Sequence, residues 1–150
     1  MGTAIQSLEN KDGLPSSLRY FIGEFRSIIT SSSSSPKSIS LAIQGYGKMA
    51  GALKKNLDEK DYAYICHDVL HRTEQLYLQL IPKERESWLI HLPTHLLSCS
   101  LLVGEFECPP SSLFITLERL LILLVNQFPN LPIQYQVGLT YFYNFGKLDE

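Results

Sequence analysis

An all-α fold is what this sequence predicts, and three observations predict it. Apolar residues recur at intervals of three and four through most of the chain, the period of one buried helix face. Serine, proline and glycine cluster between those stretches, where they start and stop helices. No stretch of any length alternates apolar with polar residues, so no strand is expected. At 150 residues the chain is long enough for one domain with its own core. Its 45% apolar and 19% charged content separates it from disordered polypeptides.

The elements follow in order. Residues 1–14 are polar, with a Lys-Asp-Gly turn at 11–13, and read as a flexible lead-in to a helical segment over 15–146. Pro15, Ser16 and Ser17 suit a helix start, because a serine oxygen can accept a free first-turn amide. Leu18, Phe21, Ile22, Phe25, Ile28 and Ile29 then form the inner face of the first helix. Ser31–Ser35 with Pro36 stop it, giving a serine-rich loop over 31–37. Ser38 is expected to cap a second helix reaching Lys55, with Lys54 and Lys55 at its negative pole.

The third helix spans about Asp58 to Leu80, with Tyr62, Ile65, Val69, Leu70, Leu76 and Leu80 inward and Pro82 at its end. The fourth covers Glu86 to Leu102, where Pro93 demands a kink or a delayed start. Pro109-Pro110 breaks the chain, Ser111 caps a fifth helix to Gln127, and a sixth covers Ile133 to Phe145. Residues 147–150 are a short tail. The fifth helix is apolar almost all round, apart from a stripe through Ser112, Thr116, Arg119 and Asn126, so it needs cover on several sides. Stacked helix pairs supply such cover. Three antiparallel pairs in this length give about 45–50 residues each, near the spacing of armadillo and HEAT-type repeats. The expected architecture is therefore an α-solenoid segment of about six helices, with a plain helical bundle as the alternative.

Chemistry is sparse. The formal net charge is −2, so the chain as a whole lacks the basic excess of a nucleic-acid binder. Cys66, Cys99 and Cys108 are odd in number and irregularly spaced, which suits a reducing compartment. The most apolar run, Leu120–Val125, is far too short to span a membrane. Histidines fall four apart at His67/His71 and His91/His95, a spacing that can place two ligands on one helix face. The third and fourth ligands are missing, so surface or groove histidines are expected. His71-Arg72-Thr73 and Asn144-Phe145-Gly146 echo two kinase motifs, but each lacks the aspartate that does the chemistry.

Gly45-x-Gly47-x-x-x-Gly51 lacks the first glycine and the Gly-Lys of a phosphate loop. Ala42, Gly45, Ala50 and Gly51 instead make a small-residue face that lets another helix approach closely. Lys37, Lys48, Lys54 and Lys55 lie in a stretch, 36–56, without Asp or Glu. Lys48, Lys54 and Lys55 are the candidate contacts to DNA or to an acidic partner, against the alternative of a solvated helix end. No catalytic residue, cofactor or metal ligand is assigned.

Three blocks carry a resemblance: Leu18–Ile29, then Ser38-Ile-Ser-Leu-Ala-Ile-Gln-Gly-Tyr-Gly-Lys-Met-Ala-Gly51, then Asp58 through Arg72 with Tyr62 and Asp68-Val69-Leu70. Leu92-Pro93-Thr94, Leu117-Glu118-x-Leu120 and Phe128-Pro129 extend it more loosely towards Phe145. In that order the chain resembles the N-terminal helical-repeat region of the DNA-dependent protein kinase catalytic subunit, in the phosphoinositide-3-kinase-related kinase family. The resemblance implies a non-catalytic segment of HEAT-like helix pairs in a nuclear protein of double-strand break repair by non-homologous end joining. The partners it implies are DNA ends, the Ku heterodimer and the remainder of a large kinase, with no membrane and no small-molecule substrate. The alternative is an unrelated HEAT or armadillo-type adaptor for a protein or peptide.

Overall fold

Residues 13–88 and 90–127 are described by a computed structural model of the chain. Among them are seven α-helices and no strand: α1 Ser16–Thr30, α2 Pro36–Lys48, α3 Ala50–Asn56, α4 Glu59–Leu78, α5 Pro82–Trp88, α6 Leu92–Val103 and α7 Ser111–Gln127. The expected sixth helix (133–145), the 147–150 tail, the Asn144-Phe145-Gly146 echo and most of the lead-in lie outside the described residues.

Local chemistry explains the boundaries. Gly13 has φ +87°, a left-handed conformation that glycine adopts without penalty, and it leads into buried Leu14 at the foot of α1. Pro15 precedes α1, and no side chain caps that helix, so the serines at 16 and 17 do not act as expected. The cap of α2 is Ser35 rather than Ser38: the Ser35 hydroxyl oxygen accepts from the Ser38 amide at 3.2 Å, and Pro36 takes the first turn where no amide is needed. The expected single helix over 38–55 divides at Met49, whose φ/ψ of −97°/5° leaves the helical basin. Gly45 and Gly47 just before it are weak helix formers.

Asp58 caps α4 by accepting from the Asp61 amide at 2.8 Å, with Glu59 and Asp61 in the positive first turn. Around Pro82 and Pro93 the chain resolves into two helices. Pro82 opens α5 and Pro93 sits in the first turn of α6, so the delayed start occurs and no kinked helix forms.

α4 is the central helix of the described part, touching α1, α2, α3, α6 and α7. Its burial reflects this: Tyr62, Ile65, Cys66, Val69, Leu70, Thr73, Leu76 and Tyr77 are all buried. α2 packs most extensively on α6, and α1 also lies against α2. α7 buries Leu113, Leu117, Leu120 and Leu124, and α4 is its main partner. Its other apolar flank is open, with Ile115 65% and Ile122 55% exposed. Among the described residues the helix covered on several sides is α4; the segment expected to pair with α7, 133–145, lies outside them. These contacts are consistent with an α-solenoid.

Candidate functional site

Two features stand where the sequence points: the small-residue face of α2 and the lysines at the ends of α2 and α3. Ala42 and Ala50 are buried. Gly45 faces Phe25 of α1, whose ring would be struck by any Cβ added there. Phe25 in turn meets Tyr46 edge-on, with ring centroids 5.2 Å apart. Gly51 is exposed, and a Cβ there would meet only a Glu105 carboxylate oxygen at 3.9 Å. The closest approach to α6 is made by Gly47, where a Cβ would lie 2.8 Å from the Ser98 Cα. Gly47 was not among the packing residues read from sequence. An offset of five residues places it about 140° round the helix from Ala42, so it faces α6 while Gly45 faces α1.

Lys48 and Lys55 are exposed and Lys54 half-buried, at the carbonyl ends of α2 and α3 where cations are favoured. The edge is not purely basic. Asp58, Glu59 and Lys60 follow at once, and Glu105 reaches towards Gly51.

A polar cluster in the core escaped the sequence reading. His95, expected at the surface or in a groove, is fully buried. Its Nε2 lies 2.6 Å from the Ser40 Oγ of α2, and its Nδ1 2.8 Å from the Tyr77 hydroxyl of α4. Gln44 Nε2 donates to the same Ser40 oxygen at 3.1 Å. A neutral imidazole donates at one nitrogen and accepts at the other, so one ring joins three helices. Burial first, then the neighbouring His91, push the His95 pKa down to about 4, which keeps it neutral. A serine this close to a histidine invites comparison with an activated nucleophile. Ser40 is 4% exposed and His95 0%, so substrate has no approach and the cluster joins helices. The signal was present in sequence, since position 95 falls on the stripe Leu92, Leu96, Cys99, Leu102 that faces inward.

The remaining candidates disperse. His67 bonds Ser112 Oγ at 3.2 Å, and burial lowers its pKa. His71 is exposed, 3.8 Å from Glu74. The His91 and His95 rings stack with centroids 6.1 Å apart. No group of three metal-binding side chains occurs among the described residues. Cys66 and Cys99 are buried thiols whose pKa burial pushes up to about 12, and Cys108 is exposed; no disulfide joins them. No helix among the described residues is long and apolar enough to cross a membrane. Arg119 of α7 forks onto Glu74 of α4, with N···O distances of 2.8 and 3.1 Å.

Together these features define a class: an all-helical packing protein whose described polar groups tie helices to one another. The family model described as DNA-PKcs, N-terminal, matches residues 3–141. The chain belongs to that family. It is 32% identical over 115 residues to the DNA-dependent protein kinase catalytic subunit of Canis lupus familiaris, covering 76% of this chain. To the subunit of the same name from Xenopus laevis it is 32% identical over 120 residues, and to that from Gallus gallus 33% over 115. The chain spans about 3% of the length of these relatives. No solved structure matches it.

Proposed function

We propose that the chain is a non-catalytic helical scaffold segment serving DNA double-strand break repair by non-homologous end joining, in the nucleus. The observation that carries this reading is the family match, which falls on the N-terminal region of a kinase subunit and covers residues 3–141. In this reading residues 15–146 form three stacked helix pairs, and their action is positional: a wall of paired helices holds DNA ends, the Ku heterodimer or the rest of a large kinase in place. Lys48, Lys54 and Lys55 are the contacts, and Ala42, Gly45 and Ala50 of the expected packing face, joined by Gly47, pack behind them, whereas Gly51 is exposed and takes no part.

A salt series with a blunt DNA duplex tests the first partner. Neutralising three phosphate contacts gives a log–log salt slope of about −2.7, and Lys48→Gln, Lys54→Gln and Lys55→Gln together should remove it. Equal binding by the triple variant removes the lysines from the reading. A second outcome, capture of Ku without DNA affinity, is favoured by the acidic neighbours of this edge, Glu59 and Glu105, which suit a protein partner better than a phosphate backbone.

A further inference from the structure

The serine run Ser31–Ser35 is a tied loop in which four of the five hydroxyl groups have structural work. Ser31 and Ser33 bond each other through their hydroxyls at 2.9 Å. Ser34 donates to the Ile28 carbonyl at 2.8 Å, and Ser35 caps α2. Ser32 is the exception: it is exposed, and its hydroxyl makes no hydrogen bond among the described residues. It lines a groove of about 320 Å³ between the end of α1 and the middle of α4, together with Thr30, Asp68, His71, Arg72 and Gln75.

Arg72 organises that groove. One terminal guanidinium nitrogen donates to the Ser31 carbonyl at 3.0 Å, the other to Gln75 at 2.9 Å. Two of its five N–H donors are thereby used, and Nε has no partner among the described residues. The charged or titratable side chains lining the groove are Arg72, His71 and Asp68, all from α4. Glu74, held by Arg119, lies 3.8 Å from His71, and Arg26 of α1 acts on Asp68 from outside the lining. Burial raises the Asp68 pKa, while Arg26 and then His71 draw it back. Arg72, with guanidinium donors to spare, therefore lies in the same groove as an unengaged hydroxyl.

We propose that Ser32 is a phosphorylation site whose phosphate is received in this groove by Arg72 and His71. An ATP-dependent serine kinase acting on the chain supplies the group. The Ser32 oxygen forms a bond to the γ-phosphorus, the bond to the bridging oxygen breaks, ADP leaves, and the hydroxyl proton passes to the kinase's base. The new dianion takes the unused guanidinium donors, a planar pairing that arginine favours. The serine run and α4, joined in the unmodified chain by the hydrogen bond from the Arg72 side chain to the Ser31 carbonyl, are then clamped by charge-assisted ones.

The full chain carrying phosphoserine at 32 tests this against the same chain carrying it at 33, by phosphorus NMR titration. An isolated phosphoserine titrates near a pKa of about 6, and the groove should lower that at position 32 by about half a unit or more relative to position 33. Arg72→Gln should remove the difference, and Asp68→Asn should enlarge it. Identical titrations at 32 and 33 overturn the groove; this comparison needs no variant, so it holds even if Arg72→Gln does not fold. Peptide mapping of the chain made in animal cells tests the modification itself: phosphate at Ser32 supports it, and phosphate confined to the other serines overturns it.

Discussion

Gly47 and Gly51 lie on successive short helices and answer opposite tests. An alanine at 47 puts a methyl into the Ser98 backbone, and α2 and α6 have to part. Overpacking of that kind costs about 1–3 kcal/mol, against roughly 1 kcal/mol returned by the better helix former. Gly47→Ala should therefore lower the urea midpoint, whereas Gly51→Ala, with open space around it, should raise stability by about 0.5–1 kcal/mol. His95 gives the pH test. The unfolded side chain takes a proton near its ordinary pKa of 6.5, but the folded one does so only near 4. The unfolded state thus binds more protons between those values, and stability falls as pH drops through that window, on the order of 3 kcal/mol in all. His67 acts in the same direction, and Asp68, raised by burial, in the opposite one. Urea midpoints at pH 7.5 and 5 should converge in His95→Gln, which is less stable at the higher pH but flatter. The inward position of His95 was readable from its spacing to Leu92 and Cys99. Its partners Ser40 and Tyr77 were not, because they lie 55 and 18 residues away and no periodicity links them.

At the scale of the helix, pattern and punctuation carried most of the assignment. The inner residues expected on α4, from Tyr62 to Leu80, are all buried, and α7 runs over the residues assigned to it. What pattern could not resolve is which partner each face meets. Six apolar residues of α1 share one face, yet Phe21 is 42% exposed, since only part of that face meets α2 and α4. Nor does composition show that α2 ends at Met49, because no proline marks the break. The α4–α7 contact separates apolar from ionic contributions. Leu120→Ala should cost about 2–5 kcal/mol through the cavity it leaves. Arg119→Ala removes an exposed cation but leaves the buried Glu74 carboxylate without the two hydrogen bonds it accepts from Arg119, a loss of about 1–3 kcal/mol. It should therefore lower the urea midpoint, and Arg119→Lys should restore part of the loss.

For the molecule as a whole, an all-α fold and family membership were both legible, the first from period and the second from the Gly-Tyr-Gly run and its flanks. Partner identity was not, because a lysine at a helix end reads the same whether it meets water, DNA or protein. The open flank of α7 belongs to this scale. Ile115 and Ile122 expose apolar surface on one side of a helix, and such surface favours association. Sedimentation of the pure chain should show a concentration-dependent rise in mass that Ile115→Lys with Ile122→Lys abolishes. The three thiols have a consequence of their own. A maleimide should modify the native chain once, at Cys108, while Cys66 and Cys99 stay protonated and enclosed between α4 and α6. Every further adduct then records a moment when those two helices separated, so the chain carries its own clock for opening at its centre.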